Sequence, residues 1–328
     1  MTAKQKVHRK PGCLVTGVAG FVGSHLAERL LSLDFKVVGV DNYFSGNQEN
    51  MLSFLDDTNF YFYETSVTEP RLLSDLKQFH PDLIYCFHLA AIVSVPYSME
   101  HVDETMEVNY QATESLLKEA TELGFNAFVF AGSAAEYGSD ERLPVRERYA
   151  SDQTQHLSPY GRSKYLASRR VANETIGVAL RCFNIYGPRQ DPTSPYSGVV
   201  SRFVDAALAG GPLTILGDGL QTRDFIYVSD VVSAYLHAAG MQGLIGSPLN
   251  GIYNVGTGQA VSILDLAATI LELTERSDSL TFAAERPGDI RHSLADVSKF
   301  KAASGWIAEI PLHLGLGHTL EWARKQCG

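Results

Sequence analysis

The amino-acid sequence predicts an α/β fold with a doubly wound parallel sheet and a smaller α/β lobe towards its C-terminal end. The first observation is that short apolar runs alternate with segments of helical periodicity, beginning with CLVTG (13–17) and SHLAERLLSL (24–33). The second is that these runs lack polar alternation, which is typical of strands buried on both faces of a sheet. The third is a change after Gly187, where the proline-rich stretch PRQDPTSPYSG (188–198) ends the regular succession.

The elements of the first half are predicted in chain order from this periodicity. Strands are expected at 13–17, 36–42, 60–67, 81–91, 126–133 and 177–187, and helices at 24–33, 70–79, 108–124 and 160–175. Gly124 is typical of a helix end, while Ser158 as N-cap and Pro159 as first helical residue indicate where the last of these helices begins. Successive strand–helix–strand units imply right-handed crossovers between parallel strands.

The second half of the chain predicts a division into two units. The stretch 210–240 returns to strand and helix patterns, and 259–328 has the pattern of a small α/β lobe. We expect one domain over 1–187, to which 224–258 returns, and a second lobe made of 188–223 and 259–328.

The composition limits the classes of partner. The 328 residues include 27 basic and 37 acidic side chains, a formal net charge of −10, which argues against nucleic acid as the main partner. The cysteines at 13, 86, 182 and 327 form no CxxC pair, so we interpret them as reduced thiols and predict neither a disulfide nor a metal site. No apolar run is long enough to span a bilayer, and no apolar segment follows the basic start. We therefore expect a cytoplasmic protein that binds no membrane.

A glycine-rich turn predicts a dinucleotide-binding site of the Rossmann type. The strand CLVTG leads into a turn with Gly17, Gly20 and Gly23 at three-residue spacing, and then into a helix. Glycines there let the backbone approach a pyrophosphate, while the helix N-terminus supplies unpaired N–H groups. Asp41 ends the next strand, where a carboxylate accepts hydrogen bonds from the adenosine ribose and repels the extra phosphate of NADP. The pattern favours NAD as cofactor; a plain tight turn and a turn-forming Asp41 are the alternatives.

The stretch SPYGRSK (158–164) predicts an acid–base pair. Tyr160 and Lys164 are four residues apart and share one face at the start of a helix. A nearby ammonium favours the phenolate, so we expect Lys164 to lower the pKa of Tyr160 from its ordinary value of about 10. Ser133 ends the fifth strand, at the edge where open α/β sheets bind ligands, and its hydroxyl can hydrogen-bond the same reacting oxygen. A surface coincidence and a turn serine are the alternatives.

The order of these and further motifs resembles a known family. GxxGxxG, HLAA (88–91), YxxxK, RCFNIYGPRQ (181–190), QTRDFIYVSD (221–230) and RPGD (286–289) occur in the order found in the extended short-chain dehydrogenase/reductases. Within that family the chain resembles the NAD-dependent UDP-hexose 4-epimerases over almost its whole length from residue 12. The resemblance implies an enzyme that keeps NAD bound and inverts C4 of a UDP-hexose through a transient 4-keto intermediate.

The resemblance also implies roles for individual residues. Tyr160 is implied as the catalytic base, Lys164 as the cation that lowers its pKa and holds the nicotinamide ribose, and Ser133 as a substrate contact that assists proton transfer. The residues implied to bind the cofactor, besides Tyr160 and Lys164, are Gly17, Gly20, Phe21, Val22, Gly23, Asp41, Asn42, Ser45, Gly46, Ser66, Val67, Leu89, Ala90, Ala91, Val93, Asn109 and Phe183. Those implied to bind the UDP-sugar are Ser133, Asn184, Val199, Arg223, Arg286, Asp289 and Ser293.

The chain departs from the family pattern at two places. Ser66 stands where an aspartate usually meets the adenine, although a serine hydroxyl can serve the same contact. In AGSAAEYG (131–138), Ala131 and Gly132 replace the usual hydroxyl residues and Glu136 replaces an apolar one. We expect Glu136 to be a solvated residue at the strand end rather than a buried acid near the substrate.

The residues after Ser133 favour one reaction of the family. The 4,6-dehydratases carry an acid pair there and the uronic-acid decarboxylases a glutamate at the second place, whereas this chain has Ala134 and Ala135. Ser293 is smaller than the aromatic residue typical of members restricted to plain hexoses, which favours UDP-N-acetylglucosamine and UDP-N-acetylgalactosamine. UDP-glucose, UDP-glucuronic acid, a net nucleotide-sugar oxidoreductase and a non-catalytic dinucleotide-binding protein stay open as alternatives. The resemblance also implies a homodimer formed through the helices at 97–124 and 160–175.

Overall fold

The computed structural model describes residues 11–191, 198–243, 246–276, 280–285 and 290–326. Its strands are β1 (Gly12–Thr16), β2 (Lys36–Asp41), β3 (Phe60–Glu64), β4 (Leu83–His88), β5 (Ala127–Ser133), β6 (Gly177–Cys182), β7 (Asn184–Tyr186), β8 (Leu213–Leu216), β9 (Thr222–Arg223), β10 (Phe225–Tyr227), β11 (Gly251–Val255), β12 (Val261–Ser262) and β13 (Leu280–Ala283). Its α-helices are α1 (Phe21–Ser32), α2 (Leu72–Phe79), α3 (Val95–Glu100), α4 (Val102–Met106), α5 (Ala112–Glu122), α6 (Pro159–Ala172), α7 (Val199–Leu208), α8 (Val228–Ala238), α9 (Ile263–Leu273), α10 (Ser298–Ser304) and α11 (Leu312–Gln326).

A seven-stranded parallel sheet forms the centre of the fold. Its strand order is β3-β2-β1-β4-β5-β6-β11, and each neighbouring pair is parallel. The order reverses between β1 and β4, so the carboxyl ends of these two strands open a crevice of the kind in which open α/β sheets bind ligands. The predicted doubly wound fold of the Rossmann type is confirmed.

Both faces of the sheet are covered by helices. In β1, Cys13 and Val15 pack with residues of α1 and α8 on one face, whereas Leu14 packs with residues of α2, α5 and α6 on the other. The same alternation holds in β5, where Val129 belongs to the first face and Phe130 to the second. All five side chains are fully buried. The strands therefore carry no polar alternation, as the sequence pattern indicated.

Several predicted boundaries differ from the structure, and three of these differences change the course of an element near the site. β4 ends at His88 rather than at 91. After it, the N–H groups of Leu89 and Ala90 both turn to the Thr16 hydroxyl at 3.2 Å, and only that of Leu89 also reaches the Thr16 carbonyl oxygen of β1. The predicted strand at 177–187 is divided into β6 and β7, and β7 pairs with β10 outside the central sheet. The predicted helix at 108–124 begins earlier, with α4, which a π-helical turn (Glu107–Gln111) joins to α5.

A further apolar cluster lies among elements of the second half of the chain. Helices α7, α9 and α11 pack with β8 around residues that include Phe203, Ile215 and Leu316. By contrast, β11 pairs with β6 in the central sheet, and Phe300 and Trp306 pack in the same cluster as α1. The domain bounds of 1–187 with 224–258, and of 188–223 with 259–328, remain a prediction.

Three further observations concern the described residues alone. Among their helices, none is both long and apolar enough to cross a membrane. Cys13, Cys86 and Cys182 are buried free thiols, and burial raises the pKa of each; Cys327 lies outside the described residues. Within the same ranges, no group of His, Cys, Asp and Glu side chains is arranged to hold a metal ion.

Candidate active site

A cleft of about 1610 Å³ opens at the carboxyl ends of the central strands. It follows the crevice between β1 and β4 and extends over the start of α6. Most residues predicted to bind a dinucleotide line it: Gly17, Gly20, Phe21, Val22, Gly23, Asp41, Asn42, Ser45, Gly46, Ser66, Val67, Leu89, Ala90, Ala91, Val93, Tyr160 and Lys164.

The glycines of the turn after β1 let the backbone of this turn pack closely against neighbouring backbone. Gly17 has a φ of 71°, and a Cβ added to it would lie 2.8 Å from the backbone nitrogen of Ala90. A Cβ on Gly23 would lie 2.0 Å from the Gly17 carbonyl oxygen, so a larger residue would push α1 away from the strand. Helix α1 begins at Phe21, and its N-cap Gly20 offers no side chain to the first N–H groups. These N–H groups at the positive end of a helix fit the pyrophosphate of a dinucleotide.

Asp41 is held at the end of β2, where the ribose of a dinucleotide would lie. Its carboxylate accepts hydrogen bonds from the backbone N–H groups of Ala19 at 2.9 Å and Tyr43 at 2.8 Å. Burial raises the pKa of Asp41, and the backbone hydrogen bonds act against that rise. Ser66 lies on the same wall, with its hydroxyl 2.8 Å from that of Thr68. This edge fits the ribose hydroxyls of NAD and disfavours the additional phosphate of NADP.

Tyr160 and Lys164 project from the first turns of α6, as predicted. Ser158 caps the helix through its hydroxyl, which accepts a backbone N–H at 3.1 Å, and Pro159 is the first helical residue. The buried ammonium of Lys164 donates a hydrogen bond of 2.9 Å to the Ala131 carbonyl oxygen. The phenol and the ammonium are therefore both fixed against the end of β5.

Ser133 lies between two cavities at the end of β5. Gly132 before it lines the large cleft, and Ala134 after it lines a separate small cavity. The Ser133 hydroxyl lies near enough to the phenol of Tyr160 to lower its pKa, and it accepts the N–H of Ala135 at 3.1 Å. Serine and phenol are thus brought together at the border of the cleft.

The pKa of Tyr160 differs from the expectation. Burial raises the pKa of Tyr160 to about 12, and the hydrogen-bonding interaction with Ser133 acts in the opposite direction. Burial lowers the pKa of Lys164 to about 8. The expected lowering of the Tyr160 pKa by Lys164 is therefore wrong for the protein alone, because desolvation raises this pKa and the negative charge of Glu136 adds to the rise. A positive nicotinamide ring beside the phenol would favour the phenolate.

A buried chain of hydrogen bonds connects the glycine turn with α6. Thr16 is 2.7 Å from Nδ1 of His88, and Nε2 of His88 is 2.9 Å from the Thr113 hydroxyl. That hydroxyl donates to the carbonyl oxygen of Asn109 at 2.9 Å, and the Asn109 amide donates to Ser163 in α6 at 3.1 Å. Asn109, predicted on the cofactor side, is only 1% exposed and supports the cleft wall from behind.

Glu136 is fully buried, so the expectation of a solvated residue at the strand end is wrong. Its carboxylate forms an ion pair with Arg181 of β6, which is 1% exposed. It also accepts the backbone N–H of Ser133 at 2.9 Å and the hydroxyl of Ser168 at 2.8 Å. A charge in a protein interior persists when it is paired and hydrogen-bonded in this way.

Ser293 and Phe183 line the small cavity beyond Ser133, together with Ala134 and Tyr137. Phe183, predicted beside the nicotinamide, is thus in contact with this cavity rather than with the large cleft. The backbone N–H of Ser293 donates to the carbonyl oxygen of Thr222 at 3.1 Å. This hydrogen bond ties the segment around Ser293 to β9.

The other residues predicted to bind the UDP-sugar lie at the ends of elements in the second half of the chain. Asn184 begins β7 and is exposed, while Val199 begins α7 and Arg223 ends β9, both partly buried. Arg286 and Asp289 lie outside the described residues.

The cleft also contains residues that the sequence analysis missed. Phe44, Tyr97, Cys182, Tyr235 and Trp322 line it. Cys182 lies inside the motif RCFNIYGPRQ, so that motif contained a signal for it. The spacing of Tyr235 in α8 and of Trp322 in α11 carried no such signal, because these helices reach the cleft only through the tertiary fold.

Comparisons with known proteins agree with this site. Residues 13–256 match the NAD dependent epimerase/dehydratase family. The chain is 35% identical over 319 residues to the UDP-glucose 4-epimerase of Mycolicibacterium smegmatis, covering 95% of this chain and 98% of that one. It is 34% identical over 325 residues to UDP-glucuronic acid decarboxylase 1 of Xenopus tropicalis, covering 95% of this chain and 72% of that one.

A solved structure is similar over the same length. The UDP-N-acetylglucosamine 4-epimerase from Methanobrevibacter ruminantium M1, in complex with UDP-N-acetylmuramic acid, has a TM-score of 0.85 and 34% identity, covering 97% of this chain and 99% of that one. The family match spans well over half of the sequence. The glycine turn and Asp41 of this chain fit NAD, the cofactor of that family. The chain is a member of the NAD-dependent epimerase/dehydratase family, an enzyme family whose cofactor is NAD.

Proposed function

We propose that the protein is an NAD-dependent 4-epimerase that interconverts UDP-N-acetylglucosamine and UDP-N-acetylgalactosamine through a transient 4-keto sugar. The observation that carries the proposal is the turn after Ser133, where Ala134 and Ala135 have no group that moves a proton. The acid that follows, Glu136, is buried and paired with Arg181. A dehydratase needs an acid to expel water and a decarboxylase a glutamate in this turn, so the turn supports the reaction that needs no third acid.

The proposed roles of the chain's own residues follow from their positions. Tyr160 takes the proton of the sugar 4-hydroxyl and later returns it, acting as base and then as acid. The Ser133 hydroxyl hydrogen-bonds the same sugar oxygen, and Lys164 holds the ribose next to the phenol. Bound NAD supplies a reversible hydride acceptor at C4 of the sugar.

The proposed anchor of the substrate is its UDP part rather than its sugar. Inversion at C4 requires the keto-sugar to present both faces to the same groups, which tight sugar contacts would prevent. We assign the UDP part to Asn184, Arg223, Arg286 and Asp289, since arginines form charge-assisted forked hydrogen bonds with a diphosphate.

The short side chain of Ser293 supports an N-acetylated sugar. Ser293 and Ala134, with the rings of Tyr137 and Phe183, line a cavity of about 10 Å³, which is smaller than an acetamido group. We propose that this wall moves outward to admit a substituent on C2 of the sugar, which the short serine permits and an aromatic residue at 293 would block. The similarity to a UDP-N-acetylglucosamine 4-epimerase supports the same substrate class, while the similarity to a UDP-glucose 4-epimerase keeps plain hexoses as the alternative.

The proposal is tested by incubating purified protein, without added cofactor, with UDP-N-acetylglucosamine, UDP-glucose and UDP-glucuronic acid, and separating the products by chromatography. Interconversion of C4 epimers, fastest for the N-acetylated pair, is expected. Stoichiometric consumption of added NAD would instead indicate a net oxidoreductase, and loss of carbon dioxide from UDP-glucuronic acid a decarboxylase. Bound NAD without turnover of any UDP-sugar would indicate a binding protein.

We also propose a homodimer formed through the helices at 97–124 and 160–175. Supporting it, α3 and α4 expose apolar side chains, with Val95 at 43%, Met99 at 58% and Val102 at 45% exposure. Light scattering is expected to give twice the chain mass, and Met99→Glu to shift the protein towards monomer. A monomeric wild-type protein would contradict the proposal.

A further inference from the structure

The Glu136 carboxylate is the centre of a buried cluster directly behind Ser133. Oε1 accepts the backbone N–H of Ser133 and the hydroxyl of Ser168, while Oε2 accepts Nε–H of Arg181. Arg181 in turn donates to the Glu147 carbonyl oxygen at 2.8 Å and lies 4.9 Å from the centroid of the Tyr137 ring. Both charged groups are therefore fully occupied by protein partners.

The contact with Ser133 closes a reciprocal capping box. The Ser133 hydroxyl accepts the N–H of Ala135, and the Glu136 side chain accepts the N–H of Ser133, so two hydrogen bonds fix the 3₁₀ turn (Ala134–Tyr137) from both ends. Such a box restricts the backbone of its first residue and thereby the direction of that side chain. The side chain in this case is the hydroxyl that meets the phenol of Tyr160.

Gly132 makes room for this arrangement. A Cβ at Gly132 would lie 2.8 Å from Oε1 of Glu136 and 2.9 Å from the carbonyl oxygen of Leu180. A serine at this position, as in the family pattern, would therefore crowd the carboxylate. Glycine at 132 and glutamate at 136 are two departures from the family pattern, and one packing arrangement accounts for both.

The cluster is also connected to the segment that lines the small cavity beside Ser293. The Tyr137 hydroxyl donates to the side chain of Asn254, whose amide donates to the carbonyl oxygen of Val145 at 2.8 Å. Val145 forms a parallel bridge with Ala295, two residues after Ser293. The turn at Glu136 is thus connected by hydrogen bonds to the segment that carries Ser293 as well as to Ser133.

We propose that Glu136 is a positioning residue, which holds the backbone N–H of Ser133 and so aims the Ser133 hydroxyl at the reacting oxygen beside Tyr160. Glu136 does not itself touch the substrate, because Arg181, Ser168 and Ser133 surround its carboxylate. The inference rests on the role proposed above for Ser133. It separates Glu136 from the acids of dehydratases and decarboxylases, which act on the substrate directly.

The test compares Glu136→Val, Glu136→Gln and the control Ser168→Ala in the purified protein with its bound NAD. Valine removes the acceptor for the Ser133 N–H, and we expect kcat to fall roughly 10- to 100-fold, the size of effect that a small misplacement produces. The KM for the UDP-sugar and the amount of bound NAD are expected to stay at the wild-type level. Glutamine offers one acceptor oxygen to the two donors, the Ser133 N–H and Nε–H of Arg181, so it should recover kcat only in part. Ser168→Ala, which leaves the Ser133 contact intact, should stay close to wild type.

A double variant keeps the test valid if Glu136→Val does not fold. Removing one member of a buried ion pair leaves an unpaired charge, whereas replacing both members with apolar residues is often tolerated. The double variant Glu136→Val/Arg181→Leu is therefore expected to fold and to show the same fall in kcat. A crystal structure of the double variant is expected to show the Ser133 hydroxyl displaced from the Tyr160 hydroxyl.

Wild-type kcat in the folded double variant would overturn the inference, and so would a Ser133 hydroxyl in its wild-type position in that crystal structure. A fall in kcat matched by loss of bound NAD would also overturn it, since this indicates general damage. If the wild-type protein turns over no UDP-sugar, the proposed function fails, and the position of the Ser133 hydroxyl still decides whether Glu136 controls it.

Discussion

The ammonium of Lys164 donates a hydrogen bond of 2.9 Å to the carbonyl oxygen of Ala131, two residues before the end of β5. The same ammonium lies 4.7 Å from the centroid of the Phe130 ring in that strand. These contacts hold Lys164 against the sheet, one helical turn after Tyr160. Helix α6 and the strand that ends at Ser133 are thereby fixed to each other, so the relative positions of the three proposed catalytic residues depend on one interface.

The first prediction concerns the phenol. Tyr160→Phe removes the proton acceptor and little volume, so we expect kcat to fall by about 10²- to 10⁴-fold while NAD content and UDP-sugar affinity stay near the wild-type values. Tyr165→Phe, which alters a buried tyrosine on the same helix, is the matched control and should keep its activity. Initial rates and calorimetric titration provide the measurements. Turnover at the wild-type rate in Tyr160→Phe would refute the role assigned to the phenol.

The second prediction is that the affinity for NAD⁺ rises with pH. Burial raises the pKa of Tyr160 to about 12, so the phenol is neutral near pH 7 in the protein without cofactor. A positive nicotinamide ring favours the phenolate, and by linkage the phenolate form binds NAD⁺ more tightly than the phenol form. Lys164, whose pKa burial lowers to about 8, loses its repulsion of the ring as the pH rises, which acts in the same direction.

Titration of cofactor-depleted protein with NAD⁺ and with NADH tests this linkage. The NAD⁺ affinity is expected to rise by up to about tenfold per pH unit, while NADH, whose ring is uncharged, should show a much weaker dependence. In Tyr160→Phe, the part of the pH dependence of NAD⁺ affinity that arises from the phenol should be absent. Identical pH dependence for the two cofactors would contradict the electrostatic coupling.

The sequence could predict the parallel sheet and one wall of the cleft, because these depend on short-range patterns. The run from Gly17 to Gly23 and the spacing of Tyr160 and Lys164 are local, and the chain folds them where the patterns indicate. Glu136 could not be placed in the same way, since its partner Arg181 is distant in sequence and lies on another strand. Burial likewise reversed the expected direction for the Tyr160 pKa, because desolvation is a property of the folded interior that no spacing reveals.

The third prediction concerns the choice of sugar. Ser293→Tyr would place a bulky ring at the wall that Ser293 shares with Ala134 and Phe183, where the C2 substituent is proposed to enter. We expect kcat/KM for UDP-N-acetylglucosamine to fall by roughly 10- to 200-fold, the range that a clash in an apolar pocket produces, and that for UDP-glucose to fall much less. Ser293→Ala is the control and should keep both activities. An equal loss for both sugars in Ser293→Tyr would exclude this wall as the site of the C2 substituent.

The buried histidine of β4 is held in one tautomer by its neighbours. The Thr113 hydroxyl donates its proton to the Asn109 carbonyl oxygen, so its oxygen accepts Nε2–H of His88. Nδ1 of His88 must then accept the hydroxyl proton of Thr16. A second proton, on Nδ1, would therefore find no hydrogen-bond acceptor. Burial, together with the positive charge of Lys164, lowers the pKa of His88 to about 3.

The fourth prediction is therefore a loss of stability in acid. The unfolded chain takes up a proton on His88 below its ordinary pKa of 6.5, which the folded protein does only near pH 3. Stability is then complete above about pH 6.5 and falls as the pH is lowered towards 3. His88→Gln should cost about 1–3 kcal/mol at pH 7 through the lost buried hydrogen bonds, but urea unfolding should show a smaller further loss between about pH 7 and pH 4. His25→Gln, at a partly buried histidine whose pKa is lowered to about 4, is the matched comparison, and an unchanged acid sensitivity in His88→Gln would show that the proton uptake occurs elsewhere.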